Sequence, residues 1–116
     1  MASLATDIQG NVTKVQVEVM LLLDDSGQYV AYCPALELSS YGDTEAEAQQ
    51  AFEEALGLFA TDTVQRGTLD QLLLALGWRI RKKPAAVYEP PRFPMELLNQ
   101  PARNRRMLTE ELLLPA

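Results

Sequence analysis

The sequence predicts an α+β domain. An antiparallel sheet of three to four strands carries one main amphipathic helix on one face, in the order strand–strand–strand–helix–strand. A short second helix and a Pro-rich C-terminal arm follow. Three observations lead there. Apolar residues alternate with period two in Lys14 to Leu23 and again in Tyr29 to Tyr41. Apolar residues then recur at steps of three and four from Ala48 to Val64, as for a helix laid on a sheet. Five of the seven prolines fall between Pro84 and Pro101. At 116 residues the chain is expected to form one domain with extensions: an N-terminal arm over 1–12, the α+β domain over 13–83, and a C-terminal extension over 84–116 that serves assembly.

The first strand, Lys14 to Leu23, sets Val15, Val17, Val19, Leu21 and Leu23 on one face and Lys14, Gln16, Glu18 and Met20 on the other. One apolar and one wetter face suit an antiparallel meander. Asp24-Asp25-Ser26-Gly27 is a hairpin turn. In the second strand Tyr29, Ala31 and Cys33 alternate with Val30 and Tyr32, and Pro34 ends the run because it has no N–H for the ladder. Leu36, Leu38 and Ser40 alternate with Glu37, Ser39 and Tyr41 in a third strand. Gly42-Asp43 breaks it, and Thr44 opens the main helix with capping-box spacing to Glu47.

That helix, Glu45 to about Gln65, stacks Ala48, Ala51, Phe52, Ala55, Leu56, Phe59 and Val64 on one stripe and leaves Glu45, Glu47, Glu53, Glu54 and Asp62 mostly elsewhere. Gly67 ends it. Thr68, at capping-box spacing to Gln71, opens a second helix whose apolar side is Leu69, Leu72, Leu73 and Leu76. Trp78 to Arg81 alternates and is the expected fourth strand, with Trp78 and Ile80 inward. The segment 84–101 is extended, yet Tyr88, Phe93, Met95, Leu97 and Leu98 are too apolar for a free linker, so it is expected to pack on its own body or on another subunit. A helical turn is expected over 102–109. Leu112-Leu113-Leu114 reads as a last strand pairing with a sheet edge, in its own subunit or a neighbour's.

The run Gly27, Tyr29, Ala31, Tyr32, Pro34, Leu36, Gly42, Asp43, Thr44, Glu47 and Ala48 resembles the HicB family, the antitoxin half of HicA–HicB toxin–antitoxin pairs. The match covers roughly Lys14 to Val64. The family usually has glycine where this chain has Leu38. The resemblance implies a partial ribonuclease H-like fold, a non-enzymatic protein, and a bacterial partner protein: a small basic HicA-like ribonuclease that it masks. A homodimer or higher homo-oligomer is expected, because a small sheet has edges to hide. The alternative reading of the motif residues Tyr29, Pro34, Leu36, Gly42, Asp43, Thr44 and Glu47 is a generic β-hairpin feeding an amphipathic helix, with each residue a turn or capping residue.

Composition narrows the chemistry. The chain has no histidine and one cysteine, which removes the commonest general base and metal ligand and any internal disulfide. Cys33 on a strand reads as a small core residue. Asp24, Asp25, Asp43 and Glu18 have no evident reason to converge on a metal. No catalytic residue, cofactor or metal site is expected. No signal peptide or spanning segment is evident, so the expected compartment is the cytoplasm, with no membrane partner. The net charge of −6 is uneven: residues 1–78 hold two bases against twelve acids, and residues 79–116 hold eight bases against four acids. An acidic body suits a basic partner.

HicB proteins often carry a DNA-binding helix pair after this domain. Here 33 residues follow Lys83 and proline fills the first half, which leaves no room for one. The candidate nucleic-acid residues are Arg79, Arg81, Lys82 and Lys83, and then Arg103, Arg105 and Arg106, each set reading equally as solvated charge or as pairing with acids. The alternative function is an orphan HicB-like protein without a toxin, acting as a self-assembling structural or regulatory oligomer, with weak DNA binding through these clusters.

Overall fold

A computed structural model describes residues 12–100 and 103–116. Its elements in order are β1 (Val12–Leu23), β2 (Tyr29–Cys33), β3 (Leu38–Gly42), α1 (Glu45–Arg66), α2 (Leu69–Ala75), β4 (Arg79–Arg81), β5 (Val87–Glu89), α3 (Met95–Leu98) and β6 (Arg103–Pro115). The fold is α+β. Four antiparallel strands run in the order β3-β2-β1-β6, α1 covers one face, and β4 and β5 pair as a separate two-stranded ribbon.

Period-two alternation builds the inner face. Val15, Val17, Val19 and Leu21 of β1, Ala31 and Cys33 of β2, and Leu112 and Leu114 of β6 are all buried. They meet Ala48, Phe52, Leu56 and Ala60 of α1. Thr63 continues this stripe and is also buried; its hydroxyl donates to the Phe59 carbonyl at 2.8 Å, a polar group satisfied by its own helix. Met20, expected on the wet face, is buried as well.

The ends of α1 follow their local chemistry. The Glu47 N–H donates to Thr44 Oγ1 at 3.1 Å, which satisfies one orphan donor of the first turn. At the other end Gly67 adopts φ 69°, and the Thr68 N–H closes onto the Thr63 carbonyl at 2.9 Å. Thr68 differs from expectation: its side chain makes no capping bond to α2.

Three expectations need correction. The third strand begins at Leu38, not Leu36, because Pro34 to Glu37 forms a tight turn in which the Glu37 N–H donates to the Pro34 carbonyl and Glu37 takes φ 50°. The expected fourth strand at Trp78 to Arg81 does not join the main sheet; Ile80 pairs with Tyr88 in the β4–β5 ribbon. The fourth strand is β6, which contains residues 103–109 that were expected to form a helical turn. It pairs with β1 from Val12↔Pro115 to Leu23↔Arg103, with a register shift between Leu21 and Leu23. Ten consecutive residue pairs in cross-strand register, from Val12↔Pro115 to Leu21↔Arg106, outweigh a weak local helix signal.

The C-terminal part is therefore no free arm. Its strand completes the sheet, and a hollow of about 550 Å³ lies between Gln16, Glu18 and Thr109 on the outer face and Pro90, Pro91, Phe93 and Met95 of the Pro-rich crossing. The expected N-terminal arm over 1–12 lies outside the described residues except for Val12, which opens β1. Among the described residues, no helix is long and apolar enough to cross a membrane.

Candidate interaction surfaces

The motif residues converge on the corner where β2, β3 and α1 meet, and each has a structural task there. Leu36 is buried beneath the turn that Pro34 starts. Gly42 ends β3 against the first turn of α1: a Cβ built on it would lie 2.5 Å from the Ala48 backbone nitrogen and 2.8 Å from the Glu47 carbonyl carbon. Only glycine lets the strand pass the helix this closely. Thr44 caps α1, while Asp43 and Glu47 face solvent. The Tyr29 hydroxyl accepts a long contact, 3.5 Å, from Asn104 Nδ2 near the start of β6.

The two basic clusters are dispersed. Arg79 and Arg81 share the solvent side of the β4–β5 ribbon, with Arg79 3.9 Å from Glu89. Lys82 turns back onto the body: its ammonium lies 3.1 Å from Asp70, donates to the Tyr88 hydroxyl at 2.7 Å, and sits 4.7 Å from the Tyr88 ring centroid. Partial burial opposes its charge, yet the hydrogen bonds it donates to Tyr88 and Asp70 prevail and raise its pKa. The Tyr88 hydroxyl donates onward to the Pro115 carbonyl at 2.7 Å, which ties the ribbon to the end of β6. Lys83 is exposed.

On β6, alternation sends neighbouring arginines to opposite faces. Arg106 points to the inner side and pairs with Glu45 at 2.8 Å. Arg105 points to the outer side and donates to the carbonyls of Leu97 at 3.2 Å and Gln100 at 2.8 Å. Arg103 opens the strand; its side chain lies outside the described residues. Arg105 and Arg106 therefore share no phosphate-binding face.

The acids are arranged differently. Glu47 and Glu54 are exposed on α1, beside exposed Asp43 at its entry, while Asp62 is held by Arg66 at 2.8 Å. Leu58 lies on the same solvent side and is 73% exposed. One acid behaves otherwise, and nothing in the sequence singled it out. Glu110 is buried on the inner face of β6, accepts from Gln49 Nε2 at 3.3 Å, and lies beside Glu53; burial, reinforced by Glu53, raises its pKa.

Cys33 is fully buried, and burial pushes its thiol up to about 11, the opposite of an activated thiolate. Among the described residues, no three His, Cys, Asp or Glu side chains cluster as a metal site would need.

No protein-family model, curated protein or solved structure matches this chain. What its surfaces offer is contact chemistry. An acidic helix face with one exposed leucine lies on one side of the sheet, a proline-lined hollow lies on the other, and β6 forms an edge that no other described strand covers.

Proposed function

We propose that this chain is a HicB-like antitoxin-type binding protein, which acts in the cytoplasm by masking a small basic ribonuclease. The observation that carries the reading is the exposed acidic side of α1, where Glu47 and Glu54 stand on a capped helix with exposed Asp43 at its entry. Acids fixed on a helix present a constant negative field to a basic RNA-binding surface, speed the encounter, and need no reordering on contact. The order of aromatic strand, Pro-x-Leu, Gly-Asp-Thr and Glu-Ala along the chain supports the family assignment.

Co-purification from the native host tests this directly, with the tagged protein held at physiological salt and its bound material identified by mass spectrometry. The expected result is a small basic protein at fixed stoichiometry, lost when Glu47 and Glu54 are both replaced by lysine. Recovery of this chain alone, as a defined oligomer, would end the masking reading.

A second reading is an orphan HicB-like protein that self-assembles for a structural or regulatory role. The open edge of β6 favours it, because an edge strand of 13 residues is a template for pairing.

A further inference from the structure

β6 ends the sheet: one side pairs with β1 and, among the described residues, the other meets no strand. Long edges are usually blunted by charge. Here the order of the charges does something else. Along β6 run Arg105, Arg106, Met107, Leu108, Thr109, Glu110 and Glu111, two cations and two anions set symmetrically about Leu108. We propose that β6 pairs antiparallel with β6 of a second copy about a two-fold axis at Leu108, joining two four-stranded sheets into one of eight strands.

Register restricts the choices. Directly opposed residues of an antiparallel pair share a face. On β6 the even-numbered residues lie inward, opposite Val15, Val17, Val19 and Leu21, and the odd-numbered ones lie outward, opposite Gln16, Glu18 and Met20. Self-pairing must therefore match even with even and odd with odd. Centred on Leu108, the strand sets Arg105 against the partner's Glu111 on the outer face and Arg106 against the partner's Glu110 on the inner face. Each pair occurs twice by symmetry. Centring one residue earlier sets Arg105 against the partner's Thr109 and Arg106 against the partner's Leu108. Centring one later sets both arginines against leucines. Only one register pairs every charge with its opposite, so the edge selects a single partner strand and a single alignment. Arg105 keeps donors to spare after its two carbonyl contacts.

This interface stands apart from toxin masking and is tested on the purified full chain alone, so the two proposals fail separately. Sedimentation of the wild-type chain at about 100 µM should show a dimer, weakened as salt rises. Arg105→Glu sets like charges together, as does Glu111→Arg, and each should lower dimer affinity at least about tenfold. The double swap R105E/E111R should restore it, and mixing the two single variants should yield the heterodimer in preference to either homodimer. On the unaltered chain, alternate backbone amides between 105 and 111 should gain hydrogen-exchange protection in step with the dimer fraction, a readout independent of how any variant folds. A wild-type chain that stays monomeric overturns the proposal. So does a dimer whose amides along β6 exchange unchanged, or whose affinity ignores both single reversals.

Discussion

Individual residues owe their roles to contacts a few ångströms long. Asp24 shows how a turn signal becomes an interaction. Its carboxylate accepts from the Ser26 hydroxyl at 2.6 Å, the Ser26 N–H at 2.9 Å and the Gln28 N–H at 3.0 Å, and the Ser26 hydroxyl leads the effects that lower its pKa. The sign of the pH dependence follows. A carboxyl whose folded pKa is depressed contributes stability above its unfolded pKa and loses it as pH falls through the folded value. Asp24→Ala should thus lower the melting temperature at pH 7, with the gap to wild type closing as pH drops below the ordinary carboxylate range. Parallel thermal melts from pH 7 to pH 3 check this, and a gap that stays constant across that range would show that the charge does not matter. Gly42 and Asp24 both stood out in the sequence as turn residues. The contacts of Asp24 lie two and four residues away and follow from its turn, whereas the close approach at Gly42 depends on the angle at which α1 leaves β3, which no residue type records. Glu110 gave no signal at all: in the sequence it is one of two adjacent glutamates, and strand parity alone turns it inward while Glu111 faces out.

Elements are decided by how local signals add up. α1 has a cap, an apolar stripe and a glycine stop, and all three agree, so its bounds were readable to within a residue. The two capping-box sequences look alike but act differently. Thr44 Oγ1 accepts the Glu47 N–H, whereas Thr68 makes no side-chain bond to α2. Thr44→Ala should cost about 1 kcal/mol, and Thr68→Ala should cost clearly less. Urea denaturation of both variants measures the difference, and equal losses would contradict the capping assignment. β6 was misread for a reason that also belongs to this scale. Its first half is rich in arginine with no strong alternation, and its partner β1 lies some ninety positions earlier. Long-range pairing with β1, not local preference, makes it a strand.

At the scale of the molecule, β6 is what makes the sheet whole. Leu112 and Leu114 are fully buried against α1 and β1, and the Tyr88 hydroxyl anchors the end of the strand at Pro115. Leu112→Ala should destabilise the chain by about 2–5 kcal/mol, the usual range for emptying a fully buried leucine site. Chemical denaturation reads that loss, and a cost near zero would mean that β6 is only loosely docked. A second long-range tie holds the small ribbon in place: Trp78 Nε1 donates to the Ala35 carbonyl at 2.8 Å, joining the exit of α2 to the turn before β3. The Pro-rich crossing, too apolar for a linker, runs over the outer face of the sheet, and Lys82 and Arg106 of the C-terminal part pair with Asp70 and Glu45 of the acidic body.

The sequence by itself determined the fold class, the meander of β1 to β3, the span of α1 and its stripe, and the absence of histidine chemistry. Those features are written in periods of two and 3.6 and in residues that act within four positions of themselves. Only the tertiary structure decided which strand completes the sheet, that Lys82 and Arg106 turn back onto acids of the body, and that strand parity sends Arg105 and Glu111 to one face and Arg106 and Glu110 to the other. The physical reason is range. Backbone pairing and the burial of a strand face are settled between residues far apart in the chain, and no local pattern records which of several possible edges will be filled.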